Sequence, residues 1–219
     1  MQVVQAPALF KPLFLPNRTP EERKLFTAEY KADLRRRLMR GEDVDPRDFG
    51  VQEIVLRGGR ISGKTMNDED AAFLDLIDPE PGDVWYCRSE ENTIRRSIFQ
   101  SFLATIRRFG YTVSNREHTD FKVSYSPFEI KCNFTGNICQ FFAINKDIDR
   151  TKSMFPPSGR LKRVMLEEAN EPDGEMYVEA LKSTALRFMD EMGKIVYRYN
   201  PPPGLTSWAN KYYPGTVVR

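Results

Sequence analysis

The sequence predicts an α/β protein in which a mainly parallel central sheet is flanked by helices and extended by antiparallel strands. Apolar stretches at 51–57, 83–88 and 163–168 have the length and composition of buried strands, and the first two lead into helical patterns. Strands that alternate with helices are typical of parallel sheets. Between 111 and 144 the pattern changes to short alternating strands, and the turn at 135–137 predicts an added antiparallel hairpin.

Composition excludes several classes of protein. The 219 residues are 40% hydrophobic and 29% charged with a formal net charge of +2, as in a globular protein with one sizeable core. The three cysteines, Cys87, Cys132 and Cys139, lack C-x-x-C spacing, and the single histidine, His118, argues against a zinc site. We therefore expect reduced, buried cysteines in a cytoplasmic protein. We expect neither a secretory signal nor a membrane span.

A glycine-rich turn after the first strand fits the phosphate-loop pattern G-x-x-x-x-G-K-[ST]. Gly58 and Gly63 allow the backbone to approach a phosphate closely, and the helix that begins near Gly63 adds a positive N-terminus. Lys64 is expected to reach the β- and γ-phosphates of ATP, and the Thr65 hydroxyl to ligate Mg²⁺. The alternative is a chance glycine-rich turn. The predicted nucleotide-binding residues here are Gly58, Gly59, Arg60, Ile61, Ser62, Gly63, Lys64 and Thr65.

A pair of adjacent carboxylates, Glu167 and Glu168, ends the apolar strand that starts at Arg163. We expect Glu167 to join the Mg²⁺ shell and Glu168 to act as the general base that deprotonates the attacking water. Two solvated glutamates at an exposed strand end are the alternative. Together with the glycine loop, the pair predicts a P-loop NTPase of the additional-strand catalytic-glutamate type.

A third polar residue, Asn200, ends the strand from Lys194 and precedes three prolines. At the edge of a core strand an asparagine can hydrogen-bond water or the γ-phosphate, so Asn200 is a further candidate for nucleotide binding. A turn-forming Asn-Pro pair explains it equally well.

The remaining elements divide the chain into two parts. Residues 1–50 are predicted to form an N-terminal arm and a helix capped by Thr19 that runs to Arg40, packed on a core formed by 51–219. Ser89 is expected to cap a helix after the second strand, and 147–159 is expected to be a loop. The apolar stripe of the Ser89 helix comprises Ile94, Ile98, Phe102 and Ile106.

These stretches, taken in chain order, resemble the ATPase domain of the large terminase subunit of tailed bacteriophages. The matching stretches are Gly58–Thr65, Cys87-Arg88 with Thr93–Ser97, Thr151–Ser153, Leu166–Ala169, and Tyr199–Pro202 with Trp208–Asn210. The sequence departs from the family at Ile61, where glycine is common. The family's adenine-contacting segment has only weak counterparts, in Gln5 and the Leu9–Phe14 patch.

The resemblance implies an ATP-hydrolysing motor that drives double-stranded DNA into the viral procapsid. The implied partners are double-stranded DNA, the portal protein and the small terminase subunit. The resemblance also implies a homo-oligomeric ring, a pentamer by family resemblance, assembled from subunits that are monomers in isolation. The implied location is the bacterial host cytoplasm, docked on the procapsid. Arg60 is the candidate for stabilising transition-state charge, in cis or across a subunit boundary.

Family members normally continue into a nuclease domain, which we expect to be absent here together with its activity. That domain was either removed with the rest of a longer chain or lies on a separate polypeptide. Two other readings remain open: a P-loop kinase, and an assembly or docking subunit that binds nucleotide without turnover.

Overall fold

The computed structural model describes residues 24, 27–42, 44–45, 48, 50–58, 62–116, 118–144, 148–201 and 207–213. Its strands are β1 (Gln52–Arg57), β2 (Asp83–Arg88), β3 (Val113–Ser114), β4 (Phe121–Tyr125), β5 (Phe128–Cys132), β6 (Ile138–Ala143), β7 (Leu161–Glu167) and β8 (Lys194–Tyr199). Its helices are α1 (Ala28–Met39), α2 (Lys64–Ile77), α3 (Glu91–Ile94), α4 (Ile98–Arg108), α5 (Ile148–Lys152), α6 (Glu175–Leu186) and α7 (Trp208–Tyr212).

The strands form one sheet in the order β1-β8-β7-β2-β6-β5-β4-β3. β1, β8, β7, β2 and β6 run parallel, whereas β5 is antiparallel to both β4 and β6. The predicted fold class is therefore confirmed, including the hairpin of added antiparallel strands. β8 is inserted between β1 and β7, so an additional strand separates the phosphate-loop strand from the acidic strand.

The register aligns the carboxyl ends of these parallel strands. Arg57 at the end of β1 lies opposite Tyr199 of β8, and Arg198 of β8 lies opposite Glu167 of β7. In open α/β sheets ligands bind outside this edge. The topology therefore places the turns after β1, β7 and β8 at one edge.

A hydrophobic core covers each face of the sheet because neighbouring strand residues point to opposite faces. On β2, Tyr86 packs with Phe73 of α2 and with α4, while Trp85 packs on the face covered by α1 and α6. From α1, Leu34 and Leu38 enter this second core. Both faces of the central strands are buried, which accounts for their continuous apolar sequences.

The N-terminal helix differs from its prediction. The predicted cap, Thr19, and the predicted arm lie outside the described residues. Thr27 has an extended backbone and caps α1 through a 3.2 Å hydrogen bond from the Tyr30 amide. A continuous helix from Thr19 to Arg40 is therefore wrong, because the extended residue at 27 interrupts it. The predicted end at Arg40 is confirmed, since Arg40 is the C-cap of α1 and Gly41 follows with φ at +78°.

The segment after β2 also differs from its prediction. Ser89 is not the helix cap, since its hydroxyl donates to the Glu171 carboxylate at 2.8 Å and Glu90 is the N-cap of α3. A turn at 95–97 divides the predicted helix into α3 and α4. The predicted apolar stripe is nevertheless buried across both helices.

Other local predictions can be compared directly. The predicted start of a helix near Gly63 is confirmed by α2, which begins at Lys64, and the three cysteines are buried with free thiols as predicted. The predicted loop 147–159 is wrong in part, because α5 occupies Ile148–Lys152. Within the described residues, no helix is long and apolar enough to cross a membrane.

Candidate functional site

The described part of the phosphate loop joins β1 to α2. The Gly58 amide donates to the Tyr199 carbonyl of β8 at 3.3 Å. Gly63 has a left-handed backbone, with φ at +77°, and a Cβ at this position would lie 3.3 Å from Asn67 Nδ2. Asn67 Nδ2 in turn donates to the Gly63 carbonyl at 2.9 Å. Gly63 therefore suits the turn for the reason that the sequence indicates. The predicted residues Gly59, Arg60 and Ile61 lie outside the described residues.

Lys64 is buried at the first position of α2. Its Nζ donates to the Gly58 carbonyl at 2.7 Å, to Ser62 Oγ at 3.2 Å and to Asn200 Oδ1 at 3.1 Å. Burial lowers the pKa of Lys64, and the charge of Glu167 opposes that effect while the charge of Arg198 adds to it. The structure thus brings Asn200, from the end of β8, into direct contact with Lys64. A phosphate that approaches this ammonium group must replace some of these hydrogen bonds.

The two adjacent glutamates turn to different neighbouring strands. Glu167 is the last residue of β7, and Glu168 follows with φ at +50°. The Glu167 carboxylate lies 2.6 Å from Arg198 Nη2 of β8. The Glu168 carboxylate pairs with Arg88 Nη2 at the end of β2. Left-handed conformations at non-glycine residues are costly and cluster at functional sites, so this turn supports a functional role for the pair.

Arg88 lies between two carboxylates. Besides its pair with Glu168, its Nε is 3.8 Å from Glu171 Oε2, and that oxygen accepts the Ser89 hydroxyl at 2.8 Å. The sequence does not predict a role for Arg88. The available signal is its position, since it ends a strand that precedes the acidic strand in the predicted sheet.

Arg198 is the second arginine for which the sequence predicts no role, and its side chain is fully buried. Burial opposes its charge, but the charges of Glu167, Tyr86 and Asp68 together raise the pKa of its guanidinium. Arg198 therefore keeps its positive charge beside Glu167 and Asp68.

The donor set suits Mg²⁺ bound together with a nucleotide. Within the described part of the chain, no group of three or more His, Cys, Asp or Glu side chains could hold a metal alone. Mg²⁺ commonly takes one or two protein ligands and completes its shell with phosphate and water. Thr65 is partly exposed, and the Glu167 side chain is 19% exposed and uses Oε2 for its ion pair with Arg198, which leaves its second oxygen for an ion. The predicted ligands, Thr65 and Glu167, therefore fit the ion.

Comparison with known families identifies the chain. A family model described as phage terminase large subunit matches residues 51–215. The chain belongs to the phage terminase large subunit family. Comparison with curated protein sequences finds no match.

Solved terminase structures share the fold. The large terminase of a thermophilic bacteriophage is 15% identical with a TM-score of 0.58, and the match covers 84% of this chain and 41% of that one. The complex of that thermophilic phage terminase with ADP is 14% identical with a TM-score of 0.54, covering 84% and 41%. The large terminase of bacteriophage HK97 is 11% identical with a TM-score of 0.55, covering 78% and 36%. The chain therefore spans about two fifths of the length of these terminases.

In this terminase the structure brings most of the predicted site together at one edge of the sheet. Contacts and ion pairs connect Lys64 with Asn200 and place the acidic pair beside β8 and β2. Two arginines for which the sequence predicts no role, Arg88 and Arg198, hold the two carboxylates. The site is therefore richer in arginine than its motifs indicate.

Proposed function

We propose that this chain is the ATP-hydrolysing motor domain of a large terminase, which drives double-stranded DNA into a viral procapsid. One observation carries the proposal: Lys64 of the phosphate loop and the pair Glu167 and Glu168 lie at the same sheet edge, separated by the additional strand β8. Solved structures of the thermophilic phage terminase hold ADP and ATP-gamma-S, which supports ATP as the nucleotide.

Three groups of this chain would bind the nucleotide. Lys64 exchanges its hydrogen bonds to Gly58, Ser62 and Asn200 for the β- and γ-phosphate oxygens, while the N-terminus of α2 adds its partial positive charge. Thr65 and Glu167 would hold Mg²⁺, which when bound neutralises charge on the phosphates. Asn200 remains close enough to respond when the γ-phosphate leaves.

Glu168 is the proposed general base. A water oxygen attacks the γ-phosphorus, the bond to the bridging oxygen of ADP breaks, and the water proton passes to the Glu168 carboxylate. Because Arg88 holds this carboxylate in the structure, Glu168 must exchange Arg88 for the attacking water before it can act.

Arg60 is the proposed arginine that stabilises transition-state charge, in cis or across a subunit boundary. Such arginines are worth about 10³–10⁵ in turnover, so the isolated monomer should hydrolyse ATP slowly. We propose the ring, the portal protein, the small terminase subunit and the procapsid-docked location in the host cytoplasm on the family relationship.

Phosphate release by the purified chain, measured with and without Mg²⁺ and double-stranded DNA, tests this function. We expect Mg²⁺-dependent release that DNA stimulates and that Lys64→Ala abolishes. Nucleotide binding without any release would favour the assembly or docking subunit. Transfer of phosphate to an added acceptor, with no response to DNA, would favour the kinase. Either result contradicts the motor.

A further inference from the structure

A single buried guanidinium connects both predicted metal ligands. Arg198 Nη2 lies 2.6 Å from Glu167 Oε2, and Arg198 Nη1 donates to the Thr65 carbonyl at 3.2 Å. The same side chain is 3.4 Å from Asp68 Oδ2 and donates to the Tyr86 hydroxyl. Its contacts therefore reach β7, β2 and the first turns of α2.

The position of Arg198 on β8 explains these contacts. Its neighbours Tyr197 and Tyr199 belong to the core on the opposite face, so Arg198 points toward α2. Its strand register places it directly opposite Glu167. No other residue of β8 combines this face with this register.

Burying the guanidinium of Arg198 costs desolvation free energy, which a purely structural contact does not justify. A buried ion pair often contributes little net stability, because desolvation offsets most of the Coulombic attraction. The guanidinium does, however, fix geometry, since its donors lie in one rigid plane. Partners that orient metal ligands in this way typically control metal affinity.

We propose that Arg198 is a positioning residue for the metal-binding half of the site, an inference that rests on the proposed ATPase function. It engages one oxygen of Glu167 and leaves the other for Mg²⁺. It also holds the Thr65 backbone through the Thr65 carbonyl. The two ligands come from different elements, β7 and α2, and Arg198 sets the distance between them.

Arg163 offers a matched control on the same face of the sheet. Its side chain is also almost fully buried, and it pairs with Asp68 at 3.1 Å and with Asp75 at 2.6 Å. It lies at the start of β7, four positions before Glu167 and so about 13 Å away along the strand. Replacing either arginine with lysine keeps the charge and removes the planar donors.

The test measures nucleotide binding rather than turnover. Fluorescent ATP-gamma-S is titrated into the wild-type chain, Arg198→Lys and Arg163→Lys, in Mg²⁺ and in EDTA, with thermal unfolding recorded for each protein. We expect Mg²⁺ to tighten binding by the wild type. In Arg198→Lys this increase in nucleotide affinity should be about 10-fold to 100-fold smaller. Its nucleotide affinity in EDTA should equal that of the wild type, because the phosphate loop is intact. Arg163→Lys should unfold at a lower temperature than the wild type, but Mg²⁺ should tighten its nucleotide binding as much as in the wild type.

Several results would overturn the inference. The inference fails if Mg²⁺ tightens nucleotide binding by Arg198→Lys as much as by the wild type. It also fails if Arg163→Lys loses as much of this effect as Arg198→Lys, because both arginines would then have only a structural role. The inference also fails if the wild type binds nucleotide equally well with and without Mg²⁺. If the wild type binds no nucleotide at all, the proposed function fails as well. If Arg198→Lys does not fold, Tyr86→Phe replaces it, since this variant removes the hydroxyl that accepts from Arg198 and donates to Glu69 at 2.7 Å. Tyr86→Phe should then reduce the Mg²⁺ gain, and an unchanged gain would overturn the inference.

Discussion

Arg88, the last residue of β2, forms an ion pair with Glu168, the first residue after β7. The left-handed backbone of Glu168 turns its carboxylate toward β2, away from the direction taken by Glu167. A carboxylate that is paired with a guanidinium must leave this partner before it can accept a proton from water. The pair therefore restrains the proposed general base.

Arg88→Ala should increase ATP hydrolysis in the absence of DNA by about 10-fold, because Glu168 no longer has to leave an ion pair before it meets water. Steady-state phosphate release measures this rate. Arg96→Ala, at an exposed position after α3, is the control and should leave the rate unchanged. A slower Arg88→Ala enzyme would show that the guanidinium acts on the phosphate instead.

Lys64→Ala should abolish turnover and sharply weaken nucleotide binding, because it removes the charge that pairs with the phosphates. Isothermal titration with ATP-gamma-S measures the affinity. Lys131→Ala, which removes an exposed lysine from β5, is the matched control and should leave the affinity unchanged. Unchanged binding by a folded Lys64→Ala protein would exclude the phosphate loop as the nucleotide site.

Glu167→Gln should raise the Mg²⁺ concentration needed for half-maximal hydrolysis, because an amide is a poorer Mg²⁺ ligand than a carboxylate. A Mg²⁺ titration of phosphate release measures this value. Glu168→Gln should leave the Mg²⁺ requirement of nucleotide binding unchanged. The reverse pattern would mean that the roles of the two glutamates are exchanged.

Lys194 should make stability depend on pH. Burial lowers the pKa of Lys194 to about 8, with Arg163 lowering it further and Asp75 and Asp68 opposing. The unfolded chain therefore binds more protons than the folded chain between about pH 8 and pH 10.5, and stability should rise with pH across that window. Relative to Lys194→Met, the wild type should gain about 3 kcal/mol in unfolding free energy over this range. Denaturant titrations at several pH values measure the difference in unfolding free energy between the two proteins. A difference that does not change with pH would contradict a lowered pKa for the buried Lys194 amine.

Local sequence predicts the parts of the site that depend on backbone conformation and strand length. Gly63 and the start of α2 follow from the glycine pattern, and Glu167 follows from an apolar strand that ends in acids. These features need only neighbouring residues. The ion pairs that hold Glu167 and Glu168 can be predicted only when the order of the strands in the sheet is known.

The periodicity of apolar residues in the sequence predicts strands but not their order in the sheet. Arg198 reaches Glu167 only because β8 is inserted beside β7, and Arg88 reaches Glu168 only because β2 lies on the other side of β7. Ser89 shows the same limitation. A serine before a helical pattern predicts a cap, but the carboxylate of Glu171 lies within reach across the sheet edge and takes its hydroxyl.

Single-turnover hydrolysis tests the central claim most directly, with protein in excess over ATP so that product release does not limit the rate. The wild type and Glu168→Gln are compared in Mg²⁺, with nucleotide affinity measured in parallel. We predict that both proteins bind ATP with similar affinity and that Glu168→Gln cleaves it about 10²–10⁴-fold more slowly. Equal cleavage rates in the two proteins would contradict the assignment of this site as an ATPase centre built on Glu168.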